Sequence, residues 1–276
     1  MSIWRPSGGK RRGIERFSDE PVSGARMWRI KTAFQNGLFW SLFVLVSALY
    51  IPAAIMVVAF FSVLLRRRTT LWMTRRGISY YGWLILRCAW PFIQVRYEDL
   101  SGGESDIPFI FVCNHRSASD PFLMACLPFE CVQIVKRWPL RLPVLGFMAR
   151  VAGYLSIHEM PLDRFYARGM ELYENGVSII SFPEGTRSGT RKMGPFTSSI
   201  FRLARRCKAP IVPLAIMGNE DKPERGSILL RPGTVRVHKL PAIRYNEYRD
   251  MSIFTLKNHV RDVLGRHMES VEGRDD

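Results

Sequence analysis

The stretch Thr32–Leu65 carries no charged residue, and from Gly37 onward it is almost continuously apolar and aromatic. A run of this length and composition predicts a membrane segment. As one straight helix, residues 37–65 would extend roughly 43 Å, which exceeds the ~30 Å hydrocarbon core of a bilayer. Pro52 lies near the middle, where it can break a helix. The segment must therefore fold back or tilt.

Basic residues flank this apolar segment on both sides. The formal net charge of +16 requires an acidic partner, either an anionic membrane or a nucleic acid. Residues 1–31 form a polar, basic tail, and Arg66-Arg67-Arg68 opens the second flank. Because positive charge marks the cytoplasmic side of a membrane, two basic flanks favour a helical hairpin over residues 32–68 with both ends in the cytosol. A single tilted span is the alternative.

Residues 69–95 remain apolar and aromatic but include arginines. Tryptophan and tyrosine mixed with arginine are typical of the headgroup level of a bilayer, so this segment is predicted to be interfacial. An amphipathic helix that packs on the domain is the alternative. The same mixture occurs in grooves for single-stranded nucleic acid, but the adjoining apolar segment favours membrane lipids and leaves nucleic acid out of the expected partners.

From residue 96 to residue 276 short apolar runs alternate with helical patterns. This alternation predicts an α/β domain with a largely parallel sheet flanked by helices, preceded by the membrane-embedded helical hairpin. The predicted strands are 107–113, 131–135, 151–157, 177–182, 210–216 and 234–240. The predicted helices are 121–127, 161–175, 195–207 and 252–268. The five cysteines lack metal-ligand spacing and are interpreted as reduced packing residues, so no metal site is expected.

The strand predicted at 107–113 ends in a polar connection that contains a histidine and an aspartate. His115 follows the strand, and Asp120-Pro121 opens the next helix as an N-cap acid with proline at the first helical position. In open α/β sheets, ligands bind at the carboxyl ends of strands. The short turn holds His115 near Asp120, which can orient the imidazole as a general base. A capping aspartate beside an ordinary loop histidine is the alternative.

A second motif, Phe182-Pro183-Glu184-Gly185-Thr186-Arg187, closes the apolar run 177–182. Gly185 allows the backbone to approach a ligand closely, and Arg187 offers a bidentate fork for phosphate. Thr186 adds a hydroxyl, and Glu184 can hold the arginine or an acceptor hydroxyl. These features predict a phosphate or headgroup site, although the same letters also form a plain turn.

The two motifs, NHRSASD at 114–120 and FPEGTR at 182–187, together resemble those of the glycerolipid acyltransferase family, which includes the 1-acylglycerol-3-phosphate acyltransferases. The resemblance covers roughly residues 80–245 and supports an N-terminal two-helix membrane element. It implies that His115 and Asp120 are catalytic. It also implies a set of substrate-binding residues, namely Asn114, Arg116, Lys136, Glu184, Gly185, Thr186 and Arg187. The segment 211–216 resembles a further family motif that shapes the substrate pocket.

The resemblance implies an O-acyltransferase of phospholipid biosynthesis. Such an enzyme moves a fatty acyl group from acyl-CoA or acyl carrier protein to a lysophospholipid hydroxyl, with no metal or bound cofactor. His115 would take the proton of that hydroxyl directly, so no acyl-enzyme intermediate is needed. The expected location is the inner (cytoplasmic) membrane of the cell, with the active site facing the cytosol.

One position departs from the family pattern. Glu159 stands where relatives carry an arginine that holds the acceptor phosphate, and a carboxylate there would repel a phosphate. This departure favours, as an alternative, an acceptor other than a glycerophosphate, such as a lyso-aminolipid or a glycolipid. An alternative of another class is a non-catalytic basic protein that binds lipid or nucleic acid.

Overall fold

The computed structural model describes residues 4–5, 22–103, 108–141 and 145–274, as a pair of N-terminal helices followed by an α/β domain. The predicted basic tail, residues 1–31, lies outside the described residues except for 4–5 and for 22–31. Residues 22–31 are helical rather than part of a tail, because they open the first long helix.

The first helix, α1, runs without interruption from Val22 to Leu64, and the second, α2, runs from Arg67 to Ala89. The two helices pack side by side, because the hydroxyl of Ser47 on α1 lies 2.8 Å from the hydroxyl of Tyr81 on α2. A two-helix element is therefore present, but the predicted bounds 32–68 and the break at Pro52 are wrong. One proline removes a single helical hydrogen bond, and no Gly, Asn or Asp follows it to form a turn.

Helix α1 has two apolar faces with different surroundings. One face packs on α2 and the domain, where Asn36 holds the Leu230 backbone by two hydrogen bonds of 2.9 and 2.7 Å and the Trp40 indole donates to the Ile228 carbonyl. The apolar residues of the opposite face recur at spacings of three, four or seven positions, and they are exposed along the helix. These residues are Met27, Ile30, Phe34, Leu38, Leu45, Leu49, Met56, Phe60 and Val63.

Among the described residues the domain is built on one seven-stranded sheet, in the order β1-β2-β7-β6-β3-β5-β4. Neighbouring strands are parallel except for the antiparallel pair β6 and β7. The predicted α/β class with a largely parallel sheet is confirmed. The strands are β1 Trp4–Arg5, β2 Ile93–Asp99, β3 Ile110–Cys113, β4 Cys131–Gln133, β5 Ser178–Ser181, β6 Ile211–Met217 and β7 Gly233–Lys239.

Two segments differ from the sequence prediction. Strand β2 was missed, although Ile93, Val95 and Tyr97 recur at the period of a strand, because the boundary placed at residue 95 divided this pattern. The strand predicted at 151–157 is wrong, because helix α5 extends to Val151 and a turn at Gly153 follows. A single bridge, from Leu155 to Ile134, remains of it.

Helices cover both faces of the sheet, and β3 shows how the core divides. Ile110 and Val112 pack into the core beneath α6, α7 and α9, whereas Phe111 and Cys113 pack toward α2 and α3. Successive side chains of β3 thus point to opposite faces of the sheet, and both faces are apolar. The polar motif begins where the strand ends. The helices are α3 Asp120–Ala125, α4 Arg137–Leu140, α5 Leu145–Val151, α6 Leu162–Glu174, α7 Ser199–Cys207, α8 Tyr245–Tyr248 and α9 Ile253–Glu272.

Two arginines of α2 bind the same carboxylate and differ in burial. The Arg75 side chain is 4% exposed, donates to Glu130 at 2.6 Å and also donates to the Ala152 carbonyl at 2.8 Å. Arg68 reaches Glu130 at 2.5 Å but is 47% exposed. Both arginines therefore tie α2 to the domain, and Arg75 is the buried one of the two.

We expect Arg75→Met to lower the free energy of unfolding by about 2 kcal/mol, because the buried Ala152 carbonyl loses its donor while Glu130 keeps Arg68. Arg68→Met, the matched control, should cost less than about 1 kcal/mol, since exposed ion pairs contribute little. Denaturant unfolding of the detergent-solubilised protein measures both. Equal effects of the two substitutions would contradict the assignment.

Candidate active site

The loop between β3 and α3 brings a histidine and an aspartate together. His115 Nδ1 lies 2.8 Å from Asp120 Oδ2, with the His115 side chain 18% exposed and Asp120 fully buried. An ionised carboxylate can only accept hydrogen bonds, so Nδ1 carries the hydrogen and Nε2 keeps a free lone pair. The imidazole is thus oriented to accept a proton at Nε2 from a molecule in front of it.

The Asp120 carboxylate is held by the loop that precedes it. Its Oδ2 atom accepts hydrogen bonds from the backbone N–H of Arg116 at 2.7 Å and of Ser117 at 2.9 Å, and Oδ1 accepts one from the Asn219 amide. The prediction that Asp120 is the N-cap of its helix is wrong, because Ser119 occupies that position and makes no side-chain cap. The carboxylate instead turns back into the loop, where the histidine and two backbone donors converge.

Glu184 joins the two motif loops. One carboxylate oxygen accepts the His115 backbone N–H and the other the Gly194 N–H, both at 2.7 Å. Burial raises the pKa of this carboxyl, against the lowering effect of these two hydrogen bonds and of the nearby imidazole. Both oxygens are engaged by backbone N–H groups, so Glu184 joins the loops that shape the site, and its role in holding Arg187 or an acceptor hydroxyl stays a prediction.

Two other predicted substrate-binding residues face away from the cavity. The Asn114 side chain is buried and exchanges hydrogen bonds of 2.8 and 2.7 Å with the Ile216 backbone on β6. The Arg116 guanidinium is 1% exposed and binds Glu272 at the end of α9 and Glu220. The side chains of Asn114 and Arg116 therefore brace the loop that carries His115, and their role in substrate binding stays a prediction.

A cavity of about 830 Å³ opens beside His115. One part is apolar and is formed by α1, α2 and α3, including Tyr50, Ala54 and Gly77. The other part is lined by the remaining predicted residues, namely Lys136, Gly185, Thr186 and Arg187. The two-part lining suits a molecule with a hydrocarbon chain and an anionic head.

Two cations at the polar part are not neutralised by neighbours. Within the described ranges neither Lys136, which is exposed, nor Arg187, which is half-buried, has an ion pair. Gly185 has a φ of +68°, a conformation that glycine adopts without strain and that turns the loop at the cavity wall. Gly185, Thr186 and Arg187 of this loop thus line the same space.

The other positions singled out in the sequence differ in their location relative to the cavity. His158 lines the cavity, whereas Glu159 is not among its lining residues and its Oε1 lies 3.6 Å from Nε of Arg137. The segment 211–216 is buried in β6 and supports the catalytic loop through Ile216 rather than lining the cavity.

Asn219 was missed by the sequence reasoning. It follows β6, which runs parallel to β3, so its position at the carboxyl edge of the sheet was the signal that could have revealed it. The contributions of α1 to the cavity were also missed. They depend on how a long helix packs, which no local motif encodes.

Comparison with known proteins identifies the class. A family model described as Acyltransferase matches residues 94–217, which contain both motif loops. Residues 94–217 therefore match an acyltransferase domain, and the similarities to curated proteins support the glycerolipid acyltransferase family.

Particular relatives follow from the same comparison. A chloroplastic 1-acyl-sn-glycerol-3-phosphate acyltransferase of Brassica napus is 33% identical over 54% of this chain and 44% of its own length. A 1-acyl-sn-glycerol-3-phosphate acyltransferase of Limnanthes alba is 26% identical over 67% of this chain and 75% of its own. In fold, the chain is similar to the crystal structure of the 1-acyl-sn-glycerophosphate (LPA) acyltransferase PlsC from Thermotoga maritima. The TM-score is 0.72 at 23% identity, covering 89% of this chain and 98% of the other.

Proposed function

We propose that the protein is a membrane-bound enzyme of phospholipid biosynthesis that acylates lysophosphatidic acid, 1-acyl-sn-glycerol 3-phosphate, at its free hydroxyl. The donor is a soluble thioester, acyl-CoA or acyl carrier protein. The observation that carries the proposal is the His115–Asp120 pair at the wall of a cavity with an apolar part and a cationic part. The names of the relatives support the acceptor.

In the proposed reaction the acceptor hydroxyl attacks the thioester carbonyl while Nε2 of His115 removes its proton. Asp120 stabilises the imidazolium that forms and keeps Nδ1 protonated. The tetrahedral intermediate then collapses, the C–S bond breaks, and the imidazolium returns the proton to the departing thiolate. The products are the ester and the free thiol, and His115 is again neutral.

The site favours a phosphate-bearing acceptor over the alternatives. Lys136 and Arg187 supply positive charge at the polar part of the cavity, which suits a dianionic phosphate. Glu159, which gave the reason for an acceptor without a phosphate, is paired with Arg137 outside the cavity lining. A lyso-aminolipid or glycolipid acceptor therefore has no observation in its favour.

The exposed apolar face of α1 supports attachment to one face of the membrane. Among the described residues one helix, over Met27–Leu64, is long and apolar enough to cross a bilayer. Its other face, however, packs on the domain and α2 from Asn36 to Tyr50, so the helix does not stand free of the domain. We infer that the exposed face is immersed in the cytoplasmic leaflet and that the active site faces the cytosol.

Acyl transfer is the direct test. With purified protein, lysophosphatidic acid and either donor, mass spectrometry should detect phosphatidic acid, and His115→Ala should lower kcat by about a hundredfold or more. Asp120→Asn should also be strongly impaired, because it favours the wrong tautomer. His259→Ala, on α9 outside the cavity lining, is the matched control and should retain activity. Near-normal turnover by His115→Ala would exclude the mechanism.

The acceptor phosphate has its own test. We expect Arg187→Ala to raise KM for lysophosphatidic acid about tenfold, because one charge-assisted hydrogen bond is lost. KM for a monoacylglycerol, which lacks the phosphate, should change little. Arg137→Ala, which removes a cation outside the cavity lining, is the matched control. An equal rise in KM for both acceptors would show that Arg187 does not bind the phosphate.

Membrane attachment is tested by extraction and labelling. The protein should resist extraction by high salt and require detergent, because an apolar face is not screened by ions. Single cysteines at Arg29 and Arg66, in a background without the native cysteines, should both react with an impermeant maleimide in inside-out vesicles and not in intact cells. Labelling of the two sites from opposite sides would instead establish a crossing helix.

A further inference from the structure

The side chain of Asn219 supplies the hydrogen bond that completes the environment of Asp120. A fully buried carboxylate requires donors for both oxygens. Oδ2 has three of them, from His115 and from the backbone of Arg116 and Ser117. For Oδ1, the described residues supply one donor, the Asn219 amide.

The position of Asn219 is itself fixed. Its side chain is 1% exposed, and its Oδ1 lies 3.1 Å from the Ser119 hydroxyl. Since a carboxylate is only an acceptor, the amide must present its N–H₂ to Asp120. Gly218, with a φ of +72°, allows the turn after β6, because a Cβ there would lie 2.4 Å from the Thr234 carbonyl.

We propose that Asn219 is a positioning residue for the proposed acyl transfer, which acts by locking the Asp120 carboxylate in the plane that faces Nδ1 of His115. Asn219 is not among the residues that line the cavity, so it acts through Asp120 and not on the substrate. Loss of its N–H lets the carboxylate rotate and leaves Oδ1 unpaired. The proposal rests on the proposed function, and it adds a third member to the His115–Asp120 pair.

The first arm of the test measures turnover. Asn219→Leu, similar in volume but without a donor, should lower kcat about ten- to a hundredfold, the effect expected from losing one hydrogen bond to a charged group. KM should stay within about twofold, since no substrate contact changes. A kcat within about twofold of the wild type would overturn the proposal.

The second arm uses Asn219→Asp, which has the same shape and stays informative if the leucine variant does not fold. Two facing carboxylates share a proton at low pH, and that proton replaces the amide hydrogen. As the pH rises the proton is lost, so kcat relative to the wild type should fall about tenfold between pH 6 and pH 9. A constant ratio across this range would overturn the proposal. The other titratable groups that act on Asp120 are His115, Glu184 and Cys113.

A third arm separates this proposal from the proposed function. Carbethoxylation of His115 by diethyl pyrocarbonate, followed by peptide mass spectrometry, requires no turnover. In Asn219→Leu, modification of His115 should move to lower pH, because a carboxylate that no longer faces Nδ1 stabilises the imidazolium less. If the wild type transfers no acyl group and this shift is present, the positioning contact stands and the proposed function fails. No shift overturns the positioning contact.

Tyr248→Phe is the control for general destabilisation. Its buried hydroxyl donates to the Ala209 carbonyl at 2.6 Å beneath α8, so the substitution removes one buried hydrogen bond in another part of the domain. It should lower the unfolding midpoint without changing the pH profile of kcat or the modification of His115. A pH shift in this variant like that of Asn219→Asp would assign the effect to stability and overturn the proposal.

Discussion

The buried carboxylate of Asp120 is the constraint on which the site depends. A charge with no exposure is tolerated only where donors surround it, and here they come from the loop before α3, from the end of β6 and from His115. Glu184 repeats the arrangement, since its two oxygens join the loop after β3 to Gly194 of the loop after β5. Three strand ends are thereby held together, and the imidazole has one orientation.

Sequence patterns predicted the elements that local periodicity encodes. The apolar runs in β3 and β5 and the apolar stripe of α9 are properties of residues close together in the chain, and these elements lie where they were expected. The contact between His115 and Asp120 also follows from a short connection. The break at Pro52 was wrong because one proline does not end a helix when no turn residue follows it; the two helices are instead separated at Leu65 and Arg66, where the apolar run meets the arginines.

The sequence did not predict the direction in which these side chains point. Asn114, Arg116 and Glu184 are adjacent in the chain to cavity-lining residues, yet each is turned into the protein by a partner distant in sequence. Those partners lie on β6, on α9 and in the loop after β5, so only the tertiary fold reveals them. The residue type determines which hydrogen bonds a side chain can make. The tertiary fold determines whether its partner is a neighbouring loop or a molecule in the cavity.

Helix α2 links the apolar helix α1 to the catalytic loop. Gly82 permits this contact, because a Cβ there would lie 3.1 Å from the Ala125 Cβ and 3.2 Å from the Phe122 carbonyl on α3. Helix α3 begins with Asp120 itself, so α2 packs directly on the helix that carries the residue facing His115. The same helix pair walls the apolar part of the cavity. Under the proposed function, the surface that enters the membrane and the surface that receives a hydrocarbon chain are therefore two faces of one helix pair.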